Sequence, residues 1–144
     1  MNLIPISEKI LERHYVQGSE SVLSVCSTVL TMYEETKPSS PWLGYLFEKD
    51  SVIVGSCAFK SAPKAGRVEI AYFTFAEFEG RGFATEMANQ LLMIAAATDS
   101  GVQVYAQTLP FNSASTKILE KLGFTLSSTV NHPEDGLVWE WVKS

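Results

Sequence analysis

The chain has 144 residues, 46% of them hydrophobic, with two cysteines and a formal net charge of -5. That is the size of one domain, 1–144, able to bury roughly two-thirds of its unfolded surface without a disulfide or metal staple. The acidic balance and the lack of a basic stripe weigh against nucleic acid, because duplex affinity draws largely on Lys and Arg neutralising phosphates. Cys26 and Cys57 have no metal-type spacing, no apolar run approaches the ~20 residues a bilayer requires, and residues 1–7 carry no leader pattern. The expectation is a cytoplasmic protein with no metal and no membrane contact.

Residues 2–6 alternate apolar and polar positions and predict a short first strand. Ser7 is a suitable N-cap for a helix over 8–15. Ser19 opens a second helix that carries Val22, Leu23, Cys26, Val29, Leu30 and Tyr33 at helical spacing and ends near Lys37, before the loop 38–41. From residue 42 to 75 the texture is β-branched and aromatic with short breaks, which predicts an antiparallel meander of strands 42–47, 52–60 and 67–75. A helix follows Gly82, with Met87, Leu91, Leu92, Ile94 and Ala95 on its apolar positions, to about residue 98. A buried strand is expected over 102–107.

Asn112 can cap a helix over 113–122, whose end is marked by Gly123 in the left-handed C′ place and by Phe124 closing over Leu119. Strands 124–130 and 137–142 flank a turn-rich 131–136. The order β-α-α-β-β-β-α-β-α-β-β predicts one mixed α/β (α+β) domain with a mostly antiparallel sheet of six to seven strands and about four helices.

The chemically informative segment is 77–86, where a strand passes through Gly80, Arg81 and Gly82 directly into a helix. Glycines there let the main chain approach a ligand, and the unsatisfied N–H groups of a first helical turn suit a diphosphate. A tight turn that needs Gly for positive φ explains the same residues. There is no Gly-Lys-Ser/Thr, and the third small residue of a dinucleotide fingerprint is missing, so two stronger phosphate motifs are excluded.

Four segments in order, 66–72 (GRVEIAY), 79–86 (EGRGFATE), 112–115 (NSAS) and 119–124 (LEKLGF), resemble the GNAT superfamily of acetyltransferases. They are most similar to its branch that acetylates ribosomal-protein N-termini and related amines. The resemblance implies acetyl-CoA as co-substrate, with its pantetheine arm in a splay between the fourth and fifth strands. It implies cofactor contacts from Tyr72, Phe73 and Thr74, from the loop Glu79, Gly80, Arg81, Gly82, Phe83, Ala84 and Thr85, and from Asn112 and Ser115. The family's loop usually begins with Gln or Arg, whereas this chain has Glu79, which must turn outward or be compensated by Arg81.

Amine acetylation needs a base to free the lone pair and a proton for the departing thiolate. Glu69, a charge within an apolar strand, stands where some family members have their general base; an outward-facing carboxylate of a half-exposed strand fits the sequence equally. Many relatives place a Tyr at the position of Leu119, so the resemblance passes the acid's role to Ser115. His14 and His132 receive no role, and Trp42, Trp139 and Trp141 read as packing, the last two at most as one wall of a pocket. Lys117 and Lys121 read as a solvated helix face. The implied acceptor groove is formed by 8–37 and 130–136, and its amine is left unnamed, as is the choice of monomer or homodimer. A non-catalytic acyl-CoA-binding module and an interaction domain that has lost the cofactor are the rival readings.

Overall fold

A computed structural model describes residues 2–143; Met1 and Ser144 lie outside them. The elements in order are β1 (Asn2–Pro5), a 3-10 turn (Glu8–Glu12), α1 (His14–Gln17), α2 (Glu20–Thr36), β2 (Gly44–Lys49), β3 (Val52–Phe59) and β4 (Arg67–Thr74). A second 3-10 turn (Ala76–Phe78) leads to α3 (Phe83–Thr98), β5 (Gln103–Thr108), α4 (Ala114–Lys121), β6 (Phe124–His132) and β7 (Gly136–Lys143). All seven strands form one sheet in the order β1-β2-β3-β4-β5-β7-β6. Every pairing is antiparallel except β4 with β5, which is the mixed, mostly antiparallel α/β architecture the pattern predicts.

The expected first helix over 8–15 is broken in two. Arg13 adopts an extended conformation between the 3-10 turn and α1. Ile10 and Val16 are both buried, at 4% and 0% exposure, yet six residues on a continuous α-helix would set them about 120° apart. The break turns both toward Cys26 and Leu46 in one cluster. Ser7 caps the 3-10 turn without a side-chain bond. Ser19 caps α2 as expected, its side chain accepting from the Val22 N–H at 3.3 Å. Leu23, assigned to the apolar face, is instead exposed.

The first meander strand starts at Gly44 rather than residue 42, because Trp42 and Leu43 donate into the preceding turn, to Ser39 O and Pro41 O. The cap of α4 is Ser113, one residue after the expected Asn112. Its N–H donates to Thr116 Oγ1 at 2.9 Å, and its own Oγ accepts from the Thr116 N–H. This reciprocal pair is a capping box with Thr in the third place. Gly123 has φ 89° and donates to Glu120 O, half of the expected Schellman ending, while Leu119 and Phe124 are buried in one cluster.

What positions the site is the parting of β4 from β5. They pair in parallel only from Arg67 to Glu69 against Gln103 to Tyr105. From Tyr105 onward β5 pairs with β7 instead. A split therefore opens in the sheet beyond Glu69. Val68 and Ile70 face the cluster containing Met87, Ala88 and Leu91 of α3, so the alternation of a strand sends Glu69, Ala71 and Phe73 to the opposite face, toward α2.

Candidate active site

A cavity of about 240 Å³ occupies the split. Glu69 and Ser115, the two residues expected to handle protons, both line it, with Tyr72, Lys60, His132 and Asp135. The Glu69 side chain is 16% exposed and its Oε2 is 3.7 Å from Lys60 Nζ. It is thus neither a free surface carboxylate nor an isolated buried one. Burial pushes its carboxyl above the ordinary range, the charges of Lys60 and His132 oppose the shift in part, and Glu140 adds to it. Desolvation outweighs the cations, as it does where a carboxylate lacks a close bidentate partner.

Ser115, in the first turn of α4, is exposed, and its carbonyl accepts from the Tyr72 hydroxyl at 3.4 Å. Burial pushes the Tyr72 hydroxyl up to about 12, so it stays protonated as a donor at neutral pH. Phe73 is 55% exposed, and Thr74 Oγ1 is buried without a partner. All three lie on β4 after it has left β5. Asn112 is exposed just before the α4 cap.

In the loop 79–85, Gly80 and Gly82 have φ 78° and 81°, so the turn requires glycine for its backbone. The same turn bares the main chain: the first helical bond is Glu86 N–H to Gly82 O, and among the described residues no group accepts from the N–H groups of residues 80–85. The backbone requirement and the exposed main chain occur in the same residues. A row of free amides at the N-terminus of a 16-residue helix is a fit for a diphosphate. Glu79 is exposed, and Arg81 leans toward the Phe78 ring at 6.0 Å.

Residues 8–125 match the family described as "Acetyltransferase (GNAT) domain". The chain belongs to the GNAT acetyltransferase family. No curated protein matches its sequence significantly. Similar solved structures include the microcin C7 self-immunity acetyltransferase MccE in complex with acetyl-CoA and AMP, with TM-score 0.71, 20% identity and coverage of 98% of this chain and 90% of that one. A spermidine N-acetyltransferase SpeG chimera from Vibrio cholerae and hSSAT gives TM-score 0.71 at 14% identity, covering 99% and 95%. The Salmonella typhimurium acetyl transferase that modifies the N-terminal serine of ribosomal protein L7/L12 gives 0.67 at 16%, covering 98% and 92%. At these identities the likeness is one of fold.

Against that fold, three lining residues of this acetyltransferase had no individual role in the sequence expectation, although His132 and Asp135 fall within the implied acceptor groove 130–136. Lys60 follows β3, His132 ends β6 and Asp135 lies in the β6–β7 turn. Nothing local marks them: Lys60 ends an unremarkable strand, and His132 became a strand residue only because β6 runs two positions past the expected end at residue 130. His132 Nδ1 accepts from the N–H groups of Glu134 and Asp135 at 3.1 and 3.2 Å. The same Nδ1 lies 3.5 Å from Asp135 Oδ2.

The remaining candidates fall where packing puts them. Trp42 stacks edge-on to Phe59 at 5.0 Å, and Trp141 Nε1 donates to Thr108 Oγ1 at 3.0 Å. Cys26 and Cys57 are buried thiols, the latter pushed by burial up to about 12. Among the described residues no group of three or more His, Cys, Asp or Glu is placed to hold a metal.

Proposed function

We propose that residues 1–144 act as one catalytic domain that transfers an acetyl group from acetyl-CoA to a primary amine, of a small molecule or a protein N-terminus, by direct attack within a ternary complex. The observation that carries this reading is the split itself: Glu69, with its raised pKa, lines one cavity with the hydroxyl residues Tyr72 and Ser115, and the free amides of 80–85 begin the helix packed on the same strand.

In this reading the amides of 80–85 hold the diphosphate, and the parted edges of β4 and β5 offer backbone groups to the pantetheine arm. Acetyl-CoA brings the activated thioester. Glu69, its pKa closer to neutrality than an exposed carboxylate, takes the proton that an amine carries at pH 7. The nitrogen then forms the new C–N bond as the C–S bond breaks. Ser115 Oγ, with Tyr72 as the neighbouring donor, supplies the proton to sulfur and is reprotonated through solvent by the second proton that the nitrogen sheds as the amide forms. The balance is one amide, one free thiol and one proton released. Glu79 is exposed, so its charge does not have to face the diphosphate. A cytoplasmic location belongs to the same reading; no helix among the described residues is long and apolar enough to cross a membrane.

Calorimetry with acetyl-CoA, followed by thiol release across a panel of amines, tests it. Binding with turnover is the expected result. Binding with no amine accelerating thiol release would leave only an acyl-CoA-binding module, and absence of binding would overturn the reading altogether.

A further inference from the structure

The cavity in the split continues toward α2. A second cavity of about 270 Å³ lies between α2 and the sheet, and Lys60, Ala71 and Tyr72 line both. Small residues open its floor, where Ala58 pairs with Ala71 and Ser56 also lines the space. Val25, Val29 and Met32 of α2 supply the opposite wall. Among the described residues no carboxylate lines this space, and Lys60 is its only charged lining residue.

Each feature restricts the acceptor. Lys60 is 47% exposed and its 3.7 Å pairing with Glu69 is loose, so the pair is worth little on its own and separates readily for a ligand. An α-amino acid offers a cation and an anion on adjacent groups, which match this carboxylate and this ammonium with opposite signs. A polyamine would instead set a second cation against Lys60, and a protein N-terminus would offer it a neutral carbonyl. The third substituent of the amino acid's Cα meets the apolar space. A cavity of about 150 Å³ already admits benzene, so this one has room for a side chain of the size of Leu, Met or Phe.

We infer that the acceptor is a free α-amino acid with an apolar side chain, its amine at Glu69, its carboxylate at Lys60 and its side chain between α2 and the β3–β4 floor. This rests on the acetyl-transfer reading above.

The full chain is assayed with acetyl-CoA and leucine, leucinamide, 3-methylbutylamine, alanine and spermidine. Leucine is expected to exceed leucinamide and 3-methylbutylamine by at least about tenfold in kcat/KM, the scale of one ion pair. Lys60→Gln should collapse the ratio of leucine to 3-methylbutylamine toward one, chiefly through KM for leucine. Ala58→Leu, which fills the floor, should shrink the preference for leucine over alanine. Equal use of leucine and its uncharged analogues overturns the inference, as does turnover of spermidine with leucine inert, and in both cases acetyl transfer itself stands. Acetyl-CoA binding with no amine used, or no binding at all, removes the underlying reading and this inference with it.

Discussion

Burying the Glu69 carboxylate works against folding, and the sign of its shift separates a functional residue from a structural one. The raised pKa means the folded chain holds the proton more tightly than the unfolded chain. The stability linked to that proton is fully present below the ordinary value of 4.5 and is lost as pH rises through the folded-state pKa. Glu69→Gln should therefore match the wild type in melting temperature near about pH 4 and equal or exceed it near about pH 8. At the same time it should lower the maximal rate by roughly 10²-fold and abolish the rise of rate with pH expected of the wild type above the ordinary carboxylate range. A variant both less stable and equally active would make Glu69 a packing residue. Ser115→Ala should lose less rate, and its deficit should shrink with an acetyl thioester of a more acidic thiol, whose departure needs less protonation. A deficit independent of the thiol would remove Ser115 from that step. Glu69 was legible in the sequence because a charge between Val68 and Ile70 breaks an apolar strand. Lys60 and His132 were not, because only the register of distant strands brings them to it.

At the scale of elements, the loop 79–85 couples a backbone requirement to a binding surface. A Cβ at Gly82 would meet no protein atom within 4 Å, so a side chain there strains the left-handed backbone rather than clashing with the fold. Gly82→Val should cost about 1–2 kcal/mol of stability and at least about tenfold in acetyl-CoA affinity, roughly 1.4 kcal/mol, read by denaturant titration and by calorimetry. Unchanged affinity would separate the loop from the cofactor. Boundaries set by one residue's chemistry could be read from the chain: Ser19 as a cap, Gly82 before α3 and Gly123 after α4 all stand where expected. Boundaries set by tertiary packing could not. The break at Arg13 exists to bury Ile10 and Val16 together, and the shift of the α4 cap from Asn112 to Ser113 follows from the reciprocal bonds of Thr116.

Across the whole molecule, the split in the sheet creates the site and also weakens the join between β1–β4 and β5–β7–β6. Three residue pairs of parallel ladder hold that join, and Arg67 reinforces its closed end. Its Nη2 donates to Glu140 Oε2 of β7 at 2.8 Å, its Nε to Gln103 Oε1 at 2.9 Å, and its guanidinium lies 4.1 Å over the Tyr105 ring. One side chain thus spans three strands across the base of the split. Arg67→Ala leaves the Glu140 carboxylate, 13% exposed, without that partner. Hydrogen bonds to charged groups contribute about 1.5–3 kcal/mol, and the 38% exposure of Arg67 places the loss toward the low end. A ligand seated in the split bridges the two halves, so its binding should depend on the clasp. Acetyl-CoA at about 100 times its dissociation constant stabilises the wild type by roughly 2.7 kcal/mol. At the same concentration Arg67→Ala should gain distinctly less, because loosening the base of the split weakens binding. Thermal unfolding of both proteins with and without acetyl-CoA measures this: a smaller ligand-induced shift in the variant supports a cofactor held between the half-sheets. Equal shifts in a destabilised variant would mean that Arg67 secures the fold while the ligand rests on one half alone.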